Sequence, residues 1–372
     1  MHRFHHTKGR DVFVAWRDLR FAKGRFALMG TVIVLITLLV GLLSGLTAGL
    51  GRQNISAIDG LPADRIAFGA PGGGQKLSYA DSTVTEQQWR RWSKAPGVTR
   101  AEPLGISTTK ATASGGGSTG VSVFGVRPGS ALAPDGDRID DDSVVLSTAA
   151  ADALALGPGD QVTLAGRQRL TVAAVRGDAS FSHTPVIWAS LDTWRRTAPP
   201  TNGPTATVIA LSTASGADVR ATDRAVGTRT VSKQDSLSAI GSYSSENGSL
   251  QLMRGFLFAI SALVIGAFFT VWTIQRGADI AVLKALGAST AGLLRDALGQ
   301  ALVLLTGGTL VGTALAAALG ALVAGTTVPF LLTPATVLVP AAVMIVLGAL
   351  GAALSVRRIT SVDPLTALGS TR

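Results

Sequence analysis

Four apolar stretches free of Asp, Glu, Lys and Arg, one before and three after a polar block of about two hundred residues, constrain this chain more than any other feature. Residues 26–51 carry no charge, nor do residues 255–275, nor the 60-residue run from Ala297 to Val356. A helix rises about 1.5 Å per residue, so about 20 apolar residues cross a hydrocarbon core about 30 Å thick. The long run suffices for two crossings, with a turn marked by Thr326-Thr327-Val328-Pro329 and Thr333-Pro334. The expected fold class is a membrane α-helical protein with four transmembrane helices, at 26–51, 255–275, 297–325 and 333–356. A large α+β extracytoplasmic domain, residues 52–254, is expected between the first and second helices.

The basic residues set an orientation. Segment 1–25, an amphipathic entry to the first span, holds seven Lys or Arg against Asp11 and Asp18. Segment 276–296 holds Arg276, Lys284 and Arg295 against Asp279 and Asp296, and the tail 357–372 holds Arg357, Arg358 and Arg372 against Asp363. These regions supply eight of the ten net positive charges, while block 52–254 is nearly balanced, with twenty basic and eighteen acidic residues. The positive-inside rule then predicts a multi-pass cell-membrane protein with both termini and the 276–296 segment cytoplasmic.

The same distribution excludes nucleic acid as the partner, because the basic excess lies where Lys and Arg meet anionic lipid headgroups. There is no cysteine, which removes disulfides, thiolate metal sites and a cysteine nucleophile. His2, His5 and His6 sit in the polar N-terminal tail and His183 stands alone in the central block. No catalytic constellation and no metal or cofactor site emerges; Asp140-Asp141-Asp142 reads as a solvated turn. The first apolar run is too long for a signal-peptide core of about 7–15 residues, so it reads as a retained span. Its Gly41, Gly45 and Gly49 repeat every fourth residue, a spacing that lets helix backbones approach closely in lipid.

The central block reads as a folded α+β domain. Thr85 through Trp92 reads as a short capped helix, Val121–Val126 as a strand, and Val144–Leu146 as a strand leading into an Ala-rich helix that ends at Gly157. Strands at 161–164 and 170–175 follow, each after a turn. The glycine-rich pieces at 69–76 and 114–118 read as loops, since no Gly-Lys pair of a phosphate-binding loop exists in the chain.

After the second span, Ile280, Leu283 and Leu286 recur at i, i+3 and i+6 on a short helix that Gly287 is placed to end. By periodicity alone this helix either docks in a partner's groove or lies on lipid. Arg276, Ile280, Leu283, Lys284, Ala285, Gly287, Ala288 and Ser289 fit the signature "ER-x-x-E-I-x-x-L-R-A-x-G-A-S", with Gln275 in place of the first acidic residue and Asp279 keeping the second. The segment thereby resembles the FtsX/MacB-type permeases, subunits of ATP-binding-cassette (ABC) systems. Trp16–Arg25, Val145–Ser147 through Asp160, and Arg357–Leu368 resemble the same family's entry segment, domain core and tail.

The resemblance implies a non-catalytic permease subunit, working as a homodimer with a separate ABC ATPase subunit. Ile280, Leu283, Leu286 and Gly287 would then form the coupling helix seated in the ATPase, with Arg276 and Lys284 at its rim. It also implies a dimer contact through spans one and two, to which the Gly41/Gly45/Gly49 face is expected to contribute. Residues 49–59 and 246–254 are similar to the haem-exporter (HrtB-type) and DevC-like branch. The implied cargo is haem or another amphipathic molecule drawn from membrane lipid, with Arg52, Asp59, Tyr243, Glu246, Met253 and Arg254 as candidate substrate-binding residues and His183 expected to lie too far away. The alternative within the family is a signal relay that activates an extracytoplasmic cell-wall enzyme.

Overall fold

The computed structural model describes residues 23–198, 206–275, 282, 286–287, 289–323, 326 and 328–357. In chain order the elements are α1 (Lys23–Asp59), β1 (Arg65–Gly69), α2 (Glu86–Trp92), β2 (Val98–Ala113), β3 (Ser118–Val126), β4 (Ser143–Leu146) and α3 (Thr148–Leu154). There follow β5 (Gln161–Leu164), β6 (Gln168–Val175), β7 (Ser180–Phe181), β8 (Thr184–Ser190), α4 (Leu191–Thr197), β9 (Val208–Thr213), α5 (Val219–Val226) and β10 (Thr228–Ser232). The chain closes with α6 (Lys233–Ser236), α7 (Gly241–Gln275), α8 (Thr290–Val323) and α9 (Pro334–Arg357). They form two units, residues 50–249 and the remainder, each described by itself below.

The second unit is helical. Helices α1, α7, α8 and α9 are each long and apolar enough to cross a membrane. Met29, Ile33 and Val40 of α1 share one buried cluster with Ile265, Phe269 and Trp272 of α7, Ala301 and Leu305 of α8, and Met344 of α9. Leucines such as Leu39, Leu263, Leu310 and Leu350 point outward on the other faces, as lipid-facing residues do. Thr333 caps α9 by accepting from the Thr336 N–H (3.2 Å), and Pro334 takes the first helical position, where its missing N–H costs nothing.

Small residues bring these helices together within one chain. A Cβ on Gly41 would stand 2.8 Å from the Ala316 Cβ, one on Gly45 would stand 2.3 Å from the Phe330 ring, and one on Gly49 would stand 2.0 Å from the Pro329 carbonyl oxygen. The glycine face expected to help join two copies is therefore occupied by α8 and by the segment that precedes α9. Four-residue spacing identifies a close-packing face and says nothing of whose helix fills it. Gly312 of α8 in turn packs on Val34 and Thr37 of α1, and Thr270 and Ser355 hydroxyls lie 2.9 Å apart between α7 and α9.

The inserted unit is built on strands buried on both faces. Ile66 and Phe68 of β1, Phe124 and Val126 of β3, and Val208 and Ala210 of β9 enter one core cluster, while Ala67, Val121, Val123, Ile209 and Leu211 from the same strands enter the other. Alternate side chains point to opposite faces of a strand, so two cores require nearly continuous apolar runs such as Ile187-Trp188-Ala189. Strand β2 is sixteen residues long and serves two sheets. Its first half pairs with β9, which continues to β1 and β10. Its second half pairs with β3 and, at 111–113, with β5, closing the ring β2-β3-β8-β4-β6-β5. Closure removes exposed strand edges from that half of the unit.

Local caps follow the expected chemistry. Thr85 and Gln88 form a reciprocal capping box on α2, and Ser147 caps α3. Helix α3 ends at Leu154, short of the expected Gly157, because Ala155 adopts the left-handed conformation (φ 52°) and the Leu156 N–H bonds the Ala151 carbonyl (3.0 Å). Gly157 instead opens the next turn by donating its N–H to Asp160 (2.8 Å).

Helices α1 and α7 outrun their apolar stretches. Their polar ends are held in the inserted unit's core, where Ala57, Ile58, Ile240 and the flanking Ile55 and Tyr243 pack around Phe68 and Phe181. Tyr79 lies in the same cluster, and its burial raises the phenol far above its usual value while its hydroxyl donates to Ser236 Oγ (2.9 Å). Overpacking costs about 1–3 kcal/mol, so Gly45→Leu should lower thermal stability of the detergent-solubilised chain, and Phe330→Ala in the same chain should restore part of the loss. Absence of that rescue would contradict the intrachain seam.

Candidate functional site

The end of α1, the start of α7 and the β7–β8 turn bring a polar cluster together. Asn54 faces Ser242 and Glu246, which lie one helical turn apart on α7. Strands β7 and β8 are joined by a two-residue turn with Ser182 (φ 50°) and His183 (φ 63°), both left-handed as tight hairpins require. That conformation is costly for residues with a Cβ. It is held from outside: the Ser182 and His183 N–H groups donate to the Asn54 and Gln53 carbonyls of α1 at 3.0 and 3.2 Å.

His183 is thereby aimed at Glu246. Its Nε2 lies 2.8 Å from Glu246 Oε2 and 3.0 Å from Oε1. Asn54 Nδ2 donates to Glu246 Oε2 at 3.1 Å and stands 2.9 Å from His183 Nε2. Ser242 Oγ donates to Asn54 Oδ1 at 2.5 Å, and the Ser182 and Ser242 hydroxyls are 2.8 Å apart. Asn54 is buried, while the His183 and Glu246 side chains remain 31% and 41% exposed, so an imidazole and a carboxylate are fixed in position yet open to a ligand.

The candidate substrate residues are distributed unequally. Glu246 belongs to this cluster. Arg52 forms an ion pair with Asp178 (2.7 Å), both about half exposed, where such pairs contribute about 0–1 kcal/mol. Asp59 Oδ1 accepts from Gln234 Nε2 (2.7 Å) and so is engaged with α6. Tyr243 is half-buried on the core cluster. In the helical unit Met253 is exposed and the Arg254 guanidinium lies 5.8 Å from the Phe258 ring centroid. His183, expected to be too far from the others, is within hydrogen-bonding distance of Glu246. The 63 residues that separate them carry no local signal of the meeting; the hint was that His183 is the one histidine outside the N-terminal tail.

Arg276, Ile280, Leu283 and Lys284 of the expected coupling helix lie outside the described residues. Of that segment, the Leu286 N–H donates to the Val282 carbonyl at 3.0 Å, Leu286 is exposed, and Gly287 has φ +93°, the left-handed geometry that ends a helix.

Removing a buried partner costs about 1–3 kcal/mol. Asn54→Ala should therefore lower the stability of the inserted unit by that amount in thermal or denaturant unfolding. Arg52→Ala, which removes only a surface pair, should change it by less than about 1 kcal/mol.

Two family models cover most of the chain: the MacB-like periplasmic core domain matches residues 26–229, and the FtsX-like permease C-terminal domain matches residues 252–364. A protein of Staphylococcus haemolyticus, named as the hemin transport system permease HrtB, is 26% identical over 360 residues, 96% of this chain and 99% of that protein. An uncharacterized ABC transporter permease of Mycobacterium tuberculosis, Rv2563, is 27% identical over 375 residues, 96% of this chain and 99% of its own length. The periplasmic region of MacB from Actinobacillus actinomycetemcomitans aligns with 49% of this chain and 94% of its own, at 13% identity and a TM-score of 0.34. With its two matched domains and its four apolar helices in the one-plus-three arrangement, the chain belongs to the FtsX/MacB family of ABC transporter permeases.

Proposed function

We propose that this permease exports an amphipathic substrate of the haem class, powered by a separate ATPase subunit that engages the segment after α7. The observation that carries the substrate half is the fixed but open His183–Glu246 pair, held between the polar ends of α1 and α7. Imidazole is a common axial ligand of haem iron, and relatives named for hemin transport match nearly the whole chain. Arg52, at the same polar end of α1, is suited to a carboxylate such as a propionate once it exchanges Asp178 for the substrate. Asp59 and Tyr243 in the inserted unit are further proposed substrate contacts, and Met253 and Arg254, in the helical unit, are proposed contacts taken by themselves.

In this reading the inserted domain is extracytoplasmic and both termini are cytoplasmic, in keeping with the basic residues that flank the spans. The ATPase receives Ile280, Leu283 and Leu286 in an apolar cleft, with Arg276 and Lys284 at its rim and Gly287 ending the helix. Two permease copies act together within membrane lipid. Support for an ATPase partner comes from family membership and from the absence of any phosphate-binding loop in this chain.

Leu283→Asp would bury a carboxylate in that cleft at a cost of several kcal/mol. It should abolish stimulation of ATP hydrolysis by the partner while leaving membrane insertion intact; stimulation equal to wild type would overturn the coupling role. For the substrate, the purified chain in nanodiscs should bind haem with a Soret shift that His183→Ala alters, and cells carrying His183→Ala or Glu246→Ala should lose haem tolerance. No haem binding, with tolerance unchanged in both variants, would overturn the haem reading and leave the permease reading standing.

A further inference from the structure

A groove of about 980 Å³ runs between α2 and α5 of the inserted unit. Residues from the first and last turns of both helices line it, among them the basic Arg90 and Arg91, Lys94 just beyond α2, and the small Ala95, Ala221 and Ala225. Hydrogen bonds fix the spacing of the two helices. Gln88 Nε2 donates to the Val226 and Gly227 carbonyls (3.3 and 3.1 Å), Arg91 donates to the Ala225 carbonyl (3.1 Å), and Trp92 Nε1 donates to Thr228 Oγ1 (3.0 Å). The last carbonyls of α5, which have no partner within their own helix, thus find donors on α2, and the groove is preformed.

The charge along this groove is one-sided. Glu86 is the acidic residue among those that line it, and it is already paired with Arg90. The carboxylates of α5 are engaged inside the unit. Asp218 caps the helix by accepting from the Ala221 N–H (3.0 Å), and Asp223 accepts from the Thr228 hydroxyl, the Thr230 hydroxyl and the Thr230 N–H at 2.7, 2.8 and 2.9 Å. Among the described residues no carboxylate lies within ion-pair distance of Arg91, Lys94, Arg220 or Arg224, all four of them exposed. Block 52–254 as a whole is nearly balanced, so the excess is local. Like charges without counter-charges create a positive potential that an acidic partner relieves. A single small anion fits poorly, because the cations are spread along about 10–12 Å of helix instead of converging on a point. An extended chain of about four residues, at about 3.3 Å each, matches that length. We infer that the groove binds an extended acidic segment of another protein, its carboxylates meeting Arg91 and Lys94 and its small side chains resting on Ala221 and Ala225. None of these residues belongs to the proposed substrate contacts, so the inference stands apart from the transport reading.

The test uses the full chain in phosphatidylcholine nanodiscs, whose lipid adds no net charge. The probe is a fluorescein-labelled peptide of about eight alternating Asp and Ala residues, twice the length of the groove. Fluorescence anisotropy should show saturable binding that weakens as salt rises from about 0.05 M to about 0.5 M. Lys94→Glu reverses a cation, and Ala221→Glu places a carboxylate in the groove at a first-turn position that suits the helix. Each should lower the affinity at least about tenfold, because like charges then face each other. Lys110→Glu, on an exposed residue of β2 outside the groove, should leave it unchanged. Unfolding transitions establish that the variants are folded. No saturable binding, equal binding of a peptide with Lys in place of Asp, or affinity unchanged in either groove variant would overturn the proposal. Binding of inorganic polyphosphate or of phosphatidylglycerol vesicles, with none of the acidic peptide, would overturn it as well and assign the groove to phosphate groups.

Discussion

Inside a bilayer a backbone N–H or C=O finds no water, and each one left unpaired costs several kcal/mol. That constraint commits the four charge-free stretches to helix before any side chain is considered, and the rest of the structure is arranged around it. Side chains then decide only which faces meet. In this chain the meeting faces are glycine-lined, with α1 receiving α8 and Phe330 so closely that a single Cβ would collide at Gly41, Gly45 and Gly49. Large apolar side chains such as Leu39, Leu263, Leu310 and Leu350 are mostly exposed on the remaining faces.

The inserted unit obeys the opposite rule. In water its stability comes from burying apolar surface, and it does so on both faces of its strands, with β2 shared between an open sheet and a closed ring. The same cores accept Ala57 and Ile58 at the end of α1 and Ile240 just before α7. Helix continues beyond residue 51 in α1 because Ile55, Ala57 and Ile58 supply a buried face of their own in that core. Asn54, Ser242 and Glu246 ride on the polar ends of α1 and α7, which is how a polar group comes to be fixed there.

Legibility in the sequence follows the range of the forces. The spans, the capping box at Thr85–Gln88, the Ser147 cap and the strands at 144–146 and 161–164 depend on neighbours in sequence and could be read from it. Ring closure between 111–113 and 162–164 depends on tertiary packing and could not. The helical nature of 52–59 was hidden because Arg52, Gln53, Asn54 and Asp59 read as a polar surface segment, while Ile55, Ala57 and Ile58 supply the buried face. Glu246 is a candidate only through the resemblance and His183 reads as too distant, since a lone histidine 63 residues earlier gives no local sign that a left-handed turn will deliver it to a helix.

The family implies a partner ATPase subunit, and we propose that it moves this permease through the segment after α7. The absence of cysteine makes that claim directly measurable, because an introduced thiol is the only one in the chain. A Leu286→Cys variant, expressed with its ATPase subunit and treated with a short bifunctional reagent that joins the thiol to a nearby lysine, should yield a covalent permease–ATPase product. A Leu310→Cys control, on an exposed face of α8, should not. Equal yields from the two positions, or no product from Leu286→Cys with an ATPase known to associate, would contradict the account.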